Sequence, residues 1–225
     1  MLAWWMQSLW EQNPVILVSW VYWVIFSIIL HELAHGWAAI ACGDRTPIES
    51  GHMTWNPLVH MGPMSLIMFA LVGIAWGLMP IDPSRFRRRS DEALVAAAGP
   101  FMNLVLAVAA LVLYTGWIGL ATPASVGPIL HGNVIIFLKV GVMLNLTLCL
   151  FNLLPAPPLD GSRILATFIP PYRRLLQSEQ GAYLALAMLV VLFMFAGEYI
   201  FAAAMRITGL VTGIIEMLIA PGGSP

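Results

Sequence analysis

The chain has 225 residues, of which 60% are hydrophobic and only 9% charged, and its mean hydropathy is +0.87. A soluble globular domain carries about a quarter charged residues, so this composition excludes one and identifies an integral membrane protein with the lipid bilayer as its surroundings. A single lysine and nine arginines against eleven acids leave a net charge of −1, which argues against nucleic acid as a partner.

In chain order, the stretch from Met1 to Pro14 has neither a basic n-region nor a small-residue cleavage site, so no removable signal peptide is read there. Trp4, Trp5 and Trp10 point to an interfacial lead into the first span. A span needs about 20 apolar residues, and the clearest runs are 15–41, 93–116, 132–154 and 182–204. A weaker segment, 207–220, carries Glu216 and several glycines and reads as an interfacial tail helix or a marginal span. Between the first two spans, the residues from Gly51 to Pro57 are short and strand-like. The run 64–79 that follows is apolar but interrupted by Gly73 and Gly77 and bounded by Pro63 and Pro80. The expected fold is an all-α polytopic membrane protein of about four to six membrane segments, with a strand-like and re-entrant insert between the first two spans. No hydrophilic stretch is long enough for a second domain, so residues 1–225 read as one membrane-embedded unit. Its core covers 15–175 and its C-terminal helices 182–220.

The chemistry is concentrated in His31-Glu32-Leu33-Ala34-His35, inside the first apolar run. On a helix, positions i and i+4 share a face, so the two imidazoles can converge on one metal ion with Glu32 beside them. Ionisable groups at membrane depth are expensive and mark functional sites. A hydrolytic zinc site wants three protein ligands and an open fourth position. Asp160 is the outstanding third ligand, because Pro155, Pro157 and Pro158 break the preceding helix and free a short carboxylate to enter a cavity. The competing reading of Asp160 is a cap for the helix that follows. Cys42 and Cys149, the only cysteines, cannot make a cysteine-type zinc site and imply no disulfide.

Glu32 is offset by about 100° from His31, so it faces a water bound to the metal as general base rather than joining the ligands. Asn152, an amide in a span, could donate to a carbonyl oxygen as it becomes an oxyanion, or simply bridge helices. Asn103 reads as interhelical packing glue, and His60 as either a cleft residue or a loop histidine. His52, Met53 and Thr54 would offer an extended edge to an unwound substrate, whose free backbone groups strand addition satisfies. If Asp160 and the histidines share a depth, an odd number of crossings separates their helices, so 64–79 is expected not to cross. The arginines from Arg45 to Arg174 then fall on one side, which the positive-inside rule makes cytoplasmic.

Together, His31-Glu32-x-x-His35 and Asn152-x-x-Pro155-x-Pro157-Pro158-Leu159-Asp160-Gly161 resemble the site-2 protease family of intramembrane zinc metalloproteases. Gly99-Pro100-x-x-Asn103 and Asn56-Pro57-Leu58-x-His60 are similar to its compact bacterial branch, which lacks PDZ or CBS domains. The resemblance implies one zinc per chain held by His31, His35 and Asp160, with Glu32 as base and regulated cleavage of other proteins' membrane segments. It also implies a bacterial cytoplasmic membrane and a site toward its cytoplasmic face. Ser162 and Gly62 depart from the family pattern, where glycine and aspartate are usual. The alternative is a catalytically silent relative that binds membrane helices as a chaperone or regulator; intact His31, Glu32, His35 and Asp160 argue against it.

Overall fold

The computed structural model describes residues 5–219, with their side chains except at 179, 180, 182, 184–186, 189, 190, 193 and 194. Trp4 and Ala220 lie outside the described residues. The chain is helical along most of its length: α1 (Trp5–Gln12), α2 (Pro14–Ala41), α3 (Thr46–Glu49), α4 (Pro57–Val72), α5 (Asp91–Leu120), α6 (Pro123–Val126), α7 (Pro128–Asn152), α8 (Asp160–Phe168), α9 (Pro170–Leu176) and α10 (Glu179–Ile219). Among the described residues, α2, α5, α7 and the Phe195–Ile219 part of α10 are long and apolar enough to cross a membrane.

Local chemistry sets the boundaries. Asn13 accepts the Val15 N–H at 2.9 Å with Pro14 at the first helical position, a pairing that starts α2. Asn56 and Pro57 repeat the device for α4, and Gly73, at φ 78°, ends that helix in the left-handed region. Asp91 and Glu92 occupy the first turn of α5, where the helix dipole favours acids. α2, α5 and α7 pack together around Trp23, Ile28, Ala110, Val142 and Leu144. Trp23 donates its indole N–H to the Phe137 carbonyl at 2.9 Å, and Gly141 lies against the same ring, so α2 and α7 approach closely.

Two expectations need correction. The strand-like segment is a set of turns, and no strand occurs among the described residues. The reason is local bonding: Gly51 is left-handed at φ 72°, the His52 N–H donates to the Pro47 carbonyl, and the Thr54 carbonyl accepts from His60 Nε2 at 2.6 Å. Those contacts use up groups that a strand would present. The separate C-terminal segments, 182–204 and 207–220, form one continuous helix as far as Ile219. Arg206 and the glycines lower local hydropathy, but no proline interrupts the hydrogen-bond ladder there.

The insert between α2 and α5 leaves and returns at one end of the bundle. Asp82 donates its N–H to Asp44 at 2.8 Å, Arg85 pairs with Glu49 at 2.7 Å, and the Arg87 N–H reaches the Cys42 carbonyl at 3.2 Å. After α4, residues 76–78 fold back along that helix: Ser65 bonds both backbone groups of Trp76, and the Leu78 N–H donates to the His60 carbonyl at 2.8 Å. At the other end, Glu216 of α10 accepts from Lys139 at 2.9 Å and from the Tyr114 hydroxyl, tying the last helix to α7 and α5.

Asp44 is the knot of the insert and is fully buried. Burial raises its carboxyl pKa, but hydrogen bonds from Thr46 and the Asp82 N–H outweigh that and hold it below the ordinary carboxylate range. A depressed folded-state pKa contributes stability above the unfolded value and loses it as pH falls through the folded one. Asp44→Asn is expected to cost about 1–3 kcal/mol near neutral pH. Thermal unfolding in detergent should show the gap between variant and parent shrinking in acid.

Candidate metal centre

The middle of α2 carries His31 and His35 one turn apart, and the start of α8 carries Asp160. Two elements bring them together. His31 Nε2 lies 3.0 Å from His35 Nε2 and 3.1 Å from Asp160 Oδ2, and His35 Nε2 lies 3.3 Å from the same oxygen. All three side chains are buried. Asp160 is the first residue of α8, and Leu159 occupies the capping position, so the capping reading of Asp160 gives way to contact with the histidines.

The donor set fits a zinc ion. His35 Nδ1 lies 2.7 Å from the Val95 carbonyl, which can only accept, so the proton sits on Nδ1 and Nε2 presents a lone pair. His31 Nδ1 lies 2.6 Å from Asn103 Oδ1, and with its proton there His31 presents Nε2 in the same way. Two lone pairs and a carboxylate oxygen thus crowd together, an arrangement that repels unless a cation lies between them. A tetrahedral ion about 2.0–2.1 Å from its ligands separates them by about 3.3 Å, close to the spacing found here.

Two glycines make the close approach possible. A Cβ on Gly99 of α5 would collide with Nε2 of both histidines, so only glycine lets α5 lie against the imidazoles. A Cβ on Gly77 would collide with the Glu32 carboxylate. Gly161 meets the Leu153 and Leu154 carbonyls in the same way, which explains the glycine after Asp160: the broken chain doubles back on itself there.

A cavity of about 780 Å³ opens onto the centre, with mainly apolar walls from α2, α5, α7, α8 and residues 74–81. Glu32, Asn152 and Arg163 line it together with His31, His35 and Asp160. Asn152 donates one amide hydrogen to the Leu148 carbonyl at 3.0 Å. His52, Met53, Thr54 and His60 do not line the cavity. His52 bonds to Ser50, and the Met53 sulfur packs beside Gly36. His60, 1% exposed, holds the Thr54 carbonyl on one side and the Leu78 N–H on the other, so it clamps the insert. Sequence reasoning missed Gly77 as a neighbour of Glu32, reading it as an interruption of the apolar run 64–79. It also missed Asn145, and it read Asn103 as glue. Asn103 does bridge helices, and it also meets His31.

Comparison with known proteins agrees with this geometry. Residues 19–119 and 114–196 match the family described as Peptidase family M50. YwhC of Bacillus subtilis (strain 168), named as a zinc metalloprotease, is 35% identical over 182 residues, covering 79% of this chain and 81% of its own. Rip2 of Mycolicibacterium smegmatis, named likewise, is 31% identical over 176 residues, or 74% of this chain. Rip2 of Mycobacterium tuberculosis (strain H37Rv) is 31% identical over 180 residues, or 76% of this chain. Both Rip2 matches span 64% of the relative's length. No solved structure matches.

Proposed function

Because this chain belongs to peptidase family M50, and is a zinc-dependent protease of the membrane, we propose that it hydrolyses peptide bonds in or near transmembrane segments of other membrane proteins. In this reading His31, His35 and Asp160 hold one zinc and Glu32 is the proton acceptor. The observation that carries it is the convergence of three buried acceptors in an apolar-walled cavity framed by candidate spans. When bound, zinc supplies Lewis acidity, which acidifies water and polarises a peptide carbonyl.

The protein's own groups have distinct tasks. Glu32 takes the proton of the attacking water and returns it to the leaving amine. Gly77 leaves the Glu32 carboxylate room to stay at the cavity wall. Asn152 keeps one amide hydrogen free of the Leu148 carbonyl, available to the carbonyl oxygen as negative charge grows on it.

Substrate backbone would pair with residues 74–79 rather than with 51–55. Ser65 bonds both backbone groups of Trp76, and the His60 carbonyl accepts from the Leu78 N–H, so residues 76 and 78 turn their backbone toward α4. In an extended run the backbone groups of Gly77 point away from α4, toward the cavity, and can pair with an unwound segment.

The test is cleavage of a synthetic transmembrane peptide by the purified protein in detergent. Cleavage abolished by a chelator and restored by zinc is the expected result. A rate indifferent to metal removal would overturn the reading.

The arginine distribution supports a cytoplasmic membrane with the metal end of the bundle toward the cytoplasm. Single cysteines at positions 44–50 and 84–90 are expected to be labelled from the same, cytoplasmic side in cells. Labelling from opposite sides would contradict the returning insert.

A further inference from the structure

We propose that Asn103 and Asn145 form a directional relay that sets the tautomer of His31, which makes them positioning residues for the zinc; the proposal rests on the reading that His31 is a ligand. Three hydrogen bonds run in series across α2, α5 and α7. His31 Nδ1 meets Asn103 Oδ1 at 2.6 Å, Asn103 Nδ2 donates to Asn145 Oδ1 at 3.1 Å, and Asn145 Nδ2 donates to the Gly141 carbonyl at 2.9 Å. Asn103 and Asn145 are both fully buried, so water does not compete for these bonds.

The direction of the chain follows from its last member. A side-chain amide can present either its oxygen or its nitrogen, and an imidazole can carry its proton on either ring nitrogen. The backbone carbonyl of Gly141 has no such freedom, because it only accepts. Asn145 must therefore turn its nitrogen to Gly141 and its oxygen to Asn103. Asn103 must turn its nitrogen to Asn145 and its oxygen to His31. The His31 proton is then held on Nδ1, and Nε2 is left bare toward His35 and Asp160. Reversing any one amide would leave two donors or two acceptors face to face in a dry site, which is costly.

The relay also ties metal binding to span packing. Gly141 lies against Trp23 of α2, so the carbonyl that orients the chain sits at the α2–α7 contact. His35 needs no such relay, since its Nδ1 reaches the Val95 carbonyl directly. The two ligands of one helix are thus oriented by different means, and the substitutions below act through His31 alone.

The experiment measures zinc dissociation constants by chelator competition on the full chain in detergent. Partners that orient a metal-binding histidine are typically worth 10–100-fold in affinity, so Asn103→Leu and Asn145→Val should weaken zinc by about that factor. Asn103→Asp keeps an acceptor facing His31 but sets a second acceptor against Asn145 Oδ1, so its affinity should fall between those of the parent and Asn103→Leu. Asn145→Thr and Asn145→Val have nearly the same shape, but the threonine hydroxyl can donate to the Gly141 carbonyl and accept from Asn103. The Thr variant should therefore bind about tenfold more tightly than the Val variant, a difference that packing alone does not produce. Should Asn103→Leu fail to fold, the Asn145 pair still decides. His31→Ala separates the two levels of the argument. Parent affinity in the Asn145 variants, with zinc lost in His31→Ala, overturns the relay and spares the ligand assignment. Parent affinity in His31→Ala overturns both.

Discussion

Replacing Glu32 by glutamine is expected to leave zinc bound and slow peptide cleavage by about 10²–10⁴-fold, the usual worth of a general base. Glutamine has nearly the same shape, so the contact with Gly77 persists, but a neutral amide cannot accept the proton of an attacking water. Because Glu32 is not among the three converging groups, metal content should match the parent. Zinc analysis and single-turnover cleavage of a transmembrane peptide check both halves. A variant that loses its metal would place Glu32 among the ligands, and one that cleaves at the parent rate would remove it from the proton transfer.

Gly99→Ala is expected to weaken zinc by at least about 10²-fold, beyond the effect of losing an orienting hydrogen bond. The added methyl would occupy space that Nε2 of His31 and of His35 both need, so one ring or the whole of α5 has to move. Both rings are held from behind, by Asn103 and by the Val95 carbonyl, which limits how far they can retreat. Gly116, in the same helix, has open space around its Cα, so Gly116→Ala is the matched control and should bind zinc as the parent does. Equal affinities for the two variants would mean that α5 does not press on the imidazoles.

How much of this was legible beforehand depends on the kind of interaction. The approach of His31 to His35 was readable because helical spacing alone puts the two histidines on one face, and charge is scarce in a span. Asp160 was readable because three prolines announce a break. The returning insert followed from the shared depth of two sites, and the contacts of Asp44 with Asp82 and of Glu49 with Arg85 bring its ends together. Gly77 and Gly99 were not legible in their roles, because a glycine kept for close approach looks like any other until its neighbour is known. Asn145 was invisible for a similar reason: its value lies in the direction of a bond made across helices. The strand expected at 51–55 failed because turn-forming contacts with Pro47 and His60 lie beyond any local pattern. The split C-terminal segment failed because hydropathy dips at Arg206, whereas backbone continuity depends on the absence of proline.

The most direct test of the central claim, that His31, His35 and Asp160 hold one zinc, is the metal content of purified Asp160→Ala beside the parent. Asp160 comes from an element distant in sequence from the histidines, so its contribution depends on the fold and not on the motif. The expected result is about one zinc per chain in the parent and a loss of zinc in the variant, with both proteins inserted and folded. Full zinc occupancy in Asp160→Ala would contradict the account and require a different third ligand.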